Sequence, residues 1–250
     1  MKIATLNLRH HSDRWEERFP LVVDTLLKSN ADLIGLQEVS IKVGPKNQAQ
    51  LIAEAVNALS NYPPYQVYFT PTREATKDQE GIAILSRLPA ESFESIALPG
   101  PWRVAQRITV RQEGRLLCFA NTHLHHEPWR DESIRLQQAI ALMDWINAQS
   151  NACVISGDFN AEPDSATIVQ IKQSHRSAYE SVHGSEPDLT YPTPLVVPAP
   201  AHTNTIDYLF YSPDAFQVIA CEKIGTQSAP HDPTLYPSDH YGLCSEMVWC

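Results

Sequence analysis

The sequence has little positive charge, because 19 Lys and Arg residues face 29 Asp and Glu residues and leave a formal net charge of −10 at pH 7. A protein that holds nucleic acid by general attraction to phosphates needs clustered Lys and Arg. The composition therefore argues against a broad basic nucleic-acid surface. Any polyanionic substrate would have to bind at a local site and not along a broad basic surface.

Paired cysteines and long apolar runs are also missing. The five cysteines include no Cys-x-x-Cys pair, which favours reduced thiols over a disulfide framework or a structural zinc site. No stretch approaches the roughly 18 apolar residues of a membrane-spanning helix, and the run ahead of Arg9 is too short for a signal peptide. We therefore expect a cytoplasmic protein without a membrane segment.

The size and composition are those of a folded globular chain. Its 250 residues are 43% hydrophobic and 19% charged, which is enough to bury a large core. Because no change in composition marks a boundary, residues 1–250 are expected to form a single domain.

Short β-like runs recur along the chain with helical segments between them, a pattern typical of an α/β protein. The runs are Lys2–Leu8, Asp32–Val39, Tyr65–Phe69, Gly81–Ser86, Val104–Arg111, Arg115–His123, Cys153–Gly157, Thr205–Tyr211 and Tyr241–Trp249. Apolar residues at helical spacing predict helices at Phe19–Leu27, Leu51–Leu59 and Asp131–Gln149. Four prolines in Tyr191–His202 instead predict a surface loop.

Acidic, amide and imidazole side chains stand at the ends of several runs, where a rigid scaffold presents side chains to a cleft. The set comprises Asn7, Glu38, His123, Asp158, Asn160, Asp207, Asp239 and His240. Taken singly, most of them could be turn formers, helix caps or solvated strand ends. Asp207 is different, because a carboxylate within an apolar stretch must be paired or ligating to offset its desolvation.

Together these residues supply what hydrolysis of a phosphate ester requires: carboxylates for a hard divalent cation, a base or orienter for water, and donors for phosphoryl oxygens. Oxygen ligands such as the Glu38 carboxylate suit Mg²⁺ or Mn²⁺ rather than zinc. The run His123–Glu127 (HLHHE) keeps zinc open as a lesser alternative, to which His10 and His11 could add.

Seven motifs span almost the whole chain: ATLNLR (4–9), DLIGLQEV (32–39), GIAILSR (81–87), ANTHL (120–124), SGDFNAEPDS (156–165), TIDYLFYS (205–212) and PSDHYGL (237–243). In this order they resemble the endonuclease/exonuclease/phosphatase superfamily of metal-dependent phosphohydrolases. The resemblance implies a four-layered α/β sandwich, in which two mixed β-sheets pack face to face with helices outside. It also implies a Mg²⁺- or Mn²⁺-dependent hydrolase of phosphate esters.

The resemblance assigns a metal site and a water-activating group. By matching motifs, Glu38 resembles the main metal carboxylate, and Asn7 and Asp239 resemble direct or water-mediated metal contacts. Asp158 is similar to the residue that orients or deprotonates the attacking water. Asn160 is similar to its partner at the scissile phosphate.

The resemblance also assigns two histidines. Asp207 would fix the tautomer of His240, and that pair would act on the phosphate or as an acid and base. His123 would donate to a phosphoryl oxygen or to the leaving group. Three arginines stay open between binding phosphate and lying at a solvated strand edge: Arg9, Arg103 and Arg107.

The composition of the chain indicates a broad class of substrate. The acidic chain favours a small soluble phosphate ester or a short nucleic-acid end over a long polymer. A sphingomyelinase-like phospholipid phosphodiesterase is an alternative, which the lack of a basic amphipathic helix disfavours. A binding module without turnover is another, which the filled catalytic positions disfavour. The segments Tyr62–Lys77 and Tyr191–His202 are expected to shape the cleft mouth.

Overall fold

The computed structural model describes residues 1–41, 45–72, 80–198, 200 and 203–250. In this part of the chain the strands are β1 Lys2–Asn7, β2 Leu33–Ser40, β3 Gln66–Pro71, β4 Glu80–Ser86, β5 Ala90–Ala97, β6 Val104–Gln112, β7 Arg115–His123, β8 Ala152–Asp158, β9 Arg176–Ser177, β10 Asp207–Tyr211, β11 Phe216–Ile224 and β12 Gly242–Trp249. The helices are α1 Trp15–Ser29, α2 Gln48–Leu59, α3 Ser133–Asn147, α4 Ala166–Lys172 and α5 Ala178–His183. Of the two segments expected at the cleft mouth, residues 73–77, 199, 201 and 202 lie outside the described part.

The strands form two sheets of six, ordered β11-β12-β1-β2-β4-β3 and β5-β6-β7-β8-β10-β9. Both sheets are mixed. The pairs β1–β2 and β7–β8 are parallel, whereas the other neighbouring strands pair antiparallel.

Apolar residues on both faces of the central strands build a layered core. The sheets face one another through residues such as Ile3 and Leu33 of the first sheet and Ile108 and Phe119 of the second. On the outer faces, α1 and α2 cover the first sheet, and α3 and α4 cover the second. Strands buried on both faces read as continuous apolar runs. The predicted four-layered sandwich with helices outside is confirmed.

Local signals fix the helix ends. At the start of α2, the Asn47 side chain accepts a hydrogen bond from Gln50 N, and the Gln50 side chain accepts one from Asn47 N, both at 2.9 Å. This reciprocal pair satisfies two amides that the first turn leaves free. At the end of α1, Asn30 takes a left-handed conformation with φ 49°. Among the helices described, none combines the length and the apolar character that a membrane crossing requires.

The two sheets approach closely at Gly35 in β2. A Cβ atom here would lie 2.7 Å from Oδ1 of Asn121 in β7, and closer still to Oγ of Ser156 in β8. Two residues further along β2, Gln37 Nε2 donates to Asn121 Oδ1 at 2.7 Å. This polar contact fixes the relative position of the strand ends that carry the polar residues of interest.

Candidate active site

The polar residues predicted at strand ends lie together at one edge of the two sheets. Four of them stand at or near the C-terminal ends of β1, β2, β7 and β8, respectively Asn7, Glu38, His123 and Asp158. Strand β10 runs antiparallel to β8, so its first residue, Asp207, pairs with Asp158. Strand β12 runs antiparallel to β1, which brings the preceding Asp239 and His240 to the same edge.

A cleft of about 510 Å³ opens at this edge. Six of the predicted site residues line it: Glu38, His123, Asp158, Asn160, Asp239 and His240. Asn7 and Asp207 lie just behind the lining, at 0% and 1% exposure, where they contact Asp158 and His240. The structure thus brings all eight predicted residues into one constellation.

His240 and Asp207 form a buried pair. His240 Nδ1 lies 2.8 Å from Asp207 Oδ2, and the Thr190 hydroxyl accepts from the backbone amide of Asp207 at 3.1 Å. Burial alone would lower the pKa of His240, but the carboxylates of Asp207 and Asp239 raise it well above its usual value. The two carboxylates therefore favour an imidazolium, and the Nδ1–H bond of His240 points to Asp207.

The carboxylate of Asp158 forms the floor of the cleft. Its Oδ1 accepts from Asn160 N at 2.9 Å, and its Oδ2 accepts from Asn7 Nδ2 at 2.9 Å. The same Oδ2 lies 3.5 Å from His123 Nε2 and 3.9 Å from His240 Nε2. Burial and the nearby charge of Asp207 raise the pKa of Asp158 to about 7. Asp158 is thus a carboxylate poised to bind a proton near neutral pH.

Two site residues have left-handed backbones. Glu38 has φ 51° at an irregularity in the β2–β4 pairing between Leu36 and Val39. A bulge of this kind re-aims a side chain at the end of a strand. Asn160 has φ 48°, which Asn tolerates better than most residues, and its Nδ2 donates to Leu124 O at 3.0 Å.

Asn7 bridges two carboxylates. Its Nδ2 donates to Glu38 Oε1 at 3.2 Å as well as to Asp158, while its Oδ1 accepts from Arg9 N at 2.9 Å. The amide nitrogen, rather than the oxygen that a cation would need, faces the carboxylates in this structure. Asn7 as a metal contact stays a prediction.

Arg9 lies in the cleft and not at a solvated edge. Its guanidinium hydrogen-bonds the carboxylates of Asp239 and Asp13. Asp239 also accepts from the Ser238 hydroxyl at 3.1 Å. The negative charge of Asp239 is therefore already matched by one cation, whereas the Glu38 carboxylate has no arginine or lysine partner within the described ranges.

Sequence reasoning missed Glu80 and its contacts in the cleft. Glu80 hydrogen-bonds His10, whose Nε2 also lies 3.2 Å from Glu38 Oε2. Glu80 opens β4 instead of ending a strand, and antiparallel pairing with β2 carries it to the cleft edge. Arg103 Nη1 lies 3.5 Å from Glu80 Oε1. The signal that could have revealed Glu80 is its position as the first residue of a strand that pairs antiparallel with β2. The start of such a strand lies at the same edge as the end of its neighbour.

Arg103 and Arg107 lie in different surroundings, one in the cleft and the other outside it. Arg103 lines the cleft and is only 7% exposed. Arg107 is not among the cleft-lining residues, and its guanidinium lies 4.0 Å from the ring centroid of Trp145 and 2.8 Å from Glu94. Of the three arginines considered from the sequence, Arg9 and Arg103 are thus the two that line the cleft.

The donor set suits a hard divalent cation. In the described ranges, three groups place their ligand atoms within 4.8 Å of one another: His10 with Glu38 and Glu80, Glu38 with His123 and Asp158, and Asp158 with Asp207 and His240. Each group combines two carboxylates with one histidine, so oxygen ligands predominate. A zinc site joining His123, His125 and His126 does not appear among these groups.

Comparisons with known proteins identify relatives of this chain. A model of the Endonuclease/Exonuclease/phosphatase family matches residues 4–240. Nocturnin from Drosophila melanogaster is 28% identical over 93% of this chain and 42% of its own length. The CCR4-Not complex 3'-5'-exoribonuclease subunit Ccr4 from Candida albicans is 25% identical over 94% of this chain and 37% of its own length. The chain thus spans about two fifths of these relatives.

Solved structures extend the likeness to three dimensions. The human Nocturnin catalytic domain with bound sulfate anion superimposes with a TM-score of 0.79 at 24% identity. The match covers 100% of this chain and 93% of that domain. The two proteins therefore share the fold from end to end.

Proposed function

Because the chain belongs to the endonuclease/exonuclease/phosphatase family of phosphoester hydrolases, we propose that it is a Mg²⁺- or Mn²⁺-dependent hydrolase of phosphate esters. The substrate would be a small soluble phosphate ester or a short nucleic-acid end. One observation carries the proposal: the His240–Asp207 pair and the Asp158 carboxylate meet at one cleft, with the Glu38 carboxylate beside them.

The metal would be held by Glu38, with Asp239 and Asn7 nearby. Five buried or half-buried carboxylates gather here, those of Glu38, Glu80, Asp158, Asp207 and Asp239. Burial and mutual repulsion raise the pKa of Asp158 to about 7, a situation that a bound cation relieves. When bound, the ion supplies positive charge that polarises the phosphate and offsets the charge that develops on it. This donor chemistry favours Mg²⁺ or Mn²⁺ over zinc.

Asp158 would prepare the attacking water. Hydrogen bonds from Asn160 N and Asn7 Nδ2 hold the carboxylate in one orientation. Burial raises the pKa of Asp158, which makes its carboxylate a stronger base towards water than an exposed aspartate. Asn160, which lines the cleft next to Asp158, would contact the phosphate.

The two histidines would act on the phosphoryl group. His240 is kept cationic by Asp207, so its Nε2–H can donate to a phosphoryl oxygen or protonate a leaving group. His123 Nε2 lies 3.5 Å from Asp158 Oδ2 and offers a second donor. Donors fixed before the reaction stabilise developing charge without reorganisation.

The size of the cleft and the net charge of the whole chain support a compact substrate. About 510 Å³ lies within the range of small-molecule pockets. The net charge of −10 disfavours a long polyanion. The Ccr4 relative is named as an exoribonuclease, which supports a nucleic-acid end as one substrate, while the family name also includes phosphatases.

The first experiment measures hydrolysis of bis-p-nitrophenyl phosphate and p-nitrophenyl phosphate with Mg²⁺, with Mn²⁺ and with chelator. We expect metal-dependent turnover that His240→Ala and Asp158→Ala abolish. Matched controls are His231→Ala and Asp214→Asn, both at exposed positions outside the cleft. Unchanged activity in both cleft variants would refute the site.

A substrate panel then separates the alternatives. Nucleotides, oligonucleotides, inositol phosphates and choline phospholipids are compared by kcat/KM under the better metal. Preference for choline phospholipids would favour the sphingomyelinase-like alternative. Absence of turnover on every substrate, with substrate binding retained, would favour a binding module.

A further inference from the structure

The side chain of Arg103 stands between two imidazoles. Its Nη1 lies 2.8 Å from Nδ1 of His123, and its Nη2 lies 3.2 Å from Nδ1 of His126. The guanidinium is buried and faces the carboxylate of Glu80 at 3.5 Å. Glu80 is itself hydrogen-bonded to His10. Arg103 therefore has a carboxylate partner in addition to its two imidazole partners.

The chemistry of these contacts fixes where the histidine protons lie. A guanidinium stays charged and has only donors, so each Nδ1 that faces it must accept. A ring nitrogen that accepts a hydrogen bond carries no proton. The proton of each neutral imidazole is therefore on Nε2.

From this geometry we infer that Arg103 is a positioning residue that holds His123 as the neutral Nε2–H tautomer. Nε2 of His123 is the atom that faces Asp158 Oδ2 across the cleft floor, at 3.5 Å. The fixed tautomer thus points an N–H bond towards Asp158 in the cleft, and under the proposed function this N–H would donate to a phosphoryl oxygen bound there. His123 then donates a hydrogen bond and keeps its proton throughout.

The Nδ1 atoms of His123 and His240 face partners of opposite charge. A carboxylate, Asp207, faces Nδ1 of His240, whereas a cation, Arg103, faces Nδ1 of His123. The first partner favours an imidazolium, and the second excludes one, because a proton on Nδ1 would point at the guanidinium. One imidazole is prepared to release a proton and the other only to donate a hydrogen bond.

The catalytic consequence rests on the proposed function, but the tautomer does not. The direct test is a long-range ¹H–¹⁵N spectrum of protein labelled with ¹⁵N-histidine, in which His123→Gln identifies the His123 signals. We expect an unprotonated Nδ1 and a protonated Nε2 in the wild-type protein. A protonated Nδ1 on His123 would overturn the inference whether or not the protein hydrolyses any ester.

Two substitutions of Arg103 test whether this residue determines the tautomer of His123. In Arg103→Ala both tautomers of His123 become populated, and kcat falls by roughly 10- to 100-fold with KM little changed, because a fixed donor to the transition state is partly lost. In Arg103→Lys the ammonium has only donors, so we expect the Nε2–H tautomer and most of kcat to return. A lysine variant as impaired as the alanine variant, with the tautomer also lost, would contradict the donor role.

Arg107 provides the matched control. It is buried four residues further along the chain, beside Trp145 and Glu94 and outside the cleft. Arg107→Lys and Arg107→Ala should leave the His123 tautomer unchanged, even if they lower Tm. A tautomer change in the Arg107 variants as large as in Arg103→Ala would show a general packing effect and overturn the assignment.

Discussion

The Nδ1 atom of His240 lies 2.8 Å from Oδ2 of Asp207, and both side chains are almost completely buried. The other oxygen of Asp207, Oδ1, has no hydrogen-bond partner among the described residues. A buried carboxylate with one unpaired oxygen is costly. Its interaction with a cationic imidazole is the compensation that this structure shows.

The first prediction concerns Asp207→Asn. The amide has nearly the same shape but lacks the charge that keeps His240 cationic, so kcat should fall by roughly 100-fold or more. Steady-state kinetics on the best ester measures it, with Asp214→Asn as an exposed control. Adding His240→Ala to Asp207→Asn should cost little more, because the pair acts as a unit. Additive losses would mean that Asp207 works independently of His240.

The second prediction concerns Glu38→Gln and the metal. The substituted amide would keep an oxygen for the hydrogen bond from Asn7 but lose the anionic ligand. Affinity for Mn²⁺ should therefore fall by at least about 10-fold, the cost of disturbing even an outer ligand partner. Titration calorimetry measures binding without reference to turnover. The exposed Glu16→Gln is the control. Equal Mn²⁺ affinity in wild type and Glu38→Gln would remove Glu38 from the metal site.

The sequence predicted the central strands but missed β5, β9 and β11. All three are edge strands of the described sheets. An edge strand has a neighbour on one side only and keeps more polar residues, as in Ala90–Ala97 (AESFESIA), where half or more of the side chains are exposed. Central strands are buried on both faces and therefore give the continuous apolar runs that pattern reading detects.

The sequence could predict that the eight candidate residues lie together, because each stands at or near a strand end within a motif. Glu80 and His10 were not predicted as a pair, and neither was the contact of Arg103 with His123. Glu80 and His10 are 70 positions apart in the chain, and the pairings of β1 with β2 and of β2 with β4 within one sheet bring them together. Local sequence patterns carry no information on contacts of this range.

The third prediction concerns the close approach of the sheets at Gly35. A Cβ atom there would lie too near Ser156 Oγ and Asn121 Oδ1, so Gly35→Ala should lower the free energy of unfolding by about 1–3 kcal/mol. Urea unfolding measures it. Adding Ser156→Ala removes one of the two clashing atoms and should restore part of the loss. A Gly35→Ala protein as stable as wild type would mean that the sheets separate there at no cost.

The fourth prediction concerns His175, which lies outside the cleft and is 4% exposed. Its Nδ1 lies 3.0 Å from the Ser174 hydroxyl and its Nε2 lies 3.5 Å from that of Ser212. Burial, with no carboxylate among the described residues to oppose it, lowers the pKa of His175 to about 4. The folded protein thus keeps this histidine neutral at pH values where the unfolded chain binds a proton.

Proton binding by the unfolded chain sets the direction in which the free energy of unfolding changes with pH. Above pH 6.5, His175 is neutral in both states and has no effect on the pH dependence. As the pH falls from 6.5 towards 4, only the unfolded chain gains the proton, so the free energy of unfolding declines. At pH 5 the loss is about 2 kcal/mol. Urea unfolding at pH 7.5 and pH 5 should show this loss in wild type and in the exposed control His231→Gln, and not in His175→Gln. The same pH dependence in all three proteins would assign the acid sensitivity to other groups.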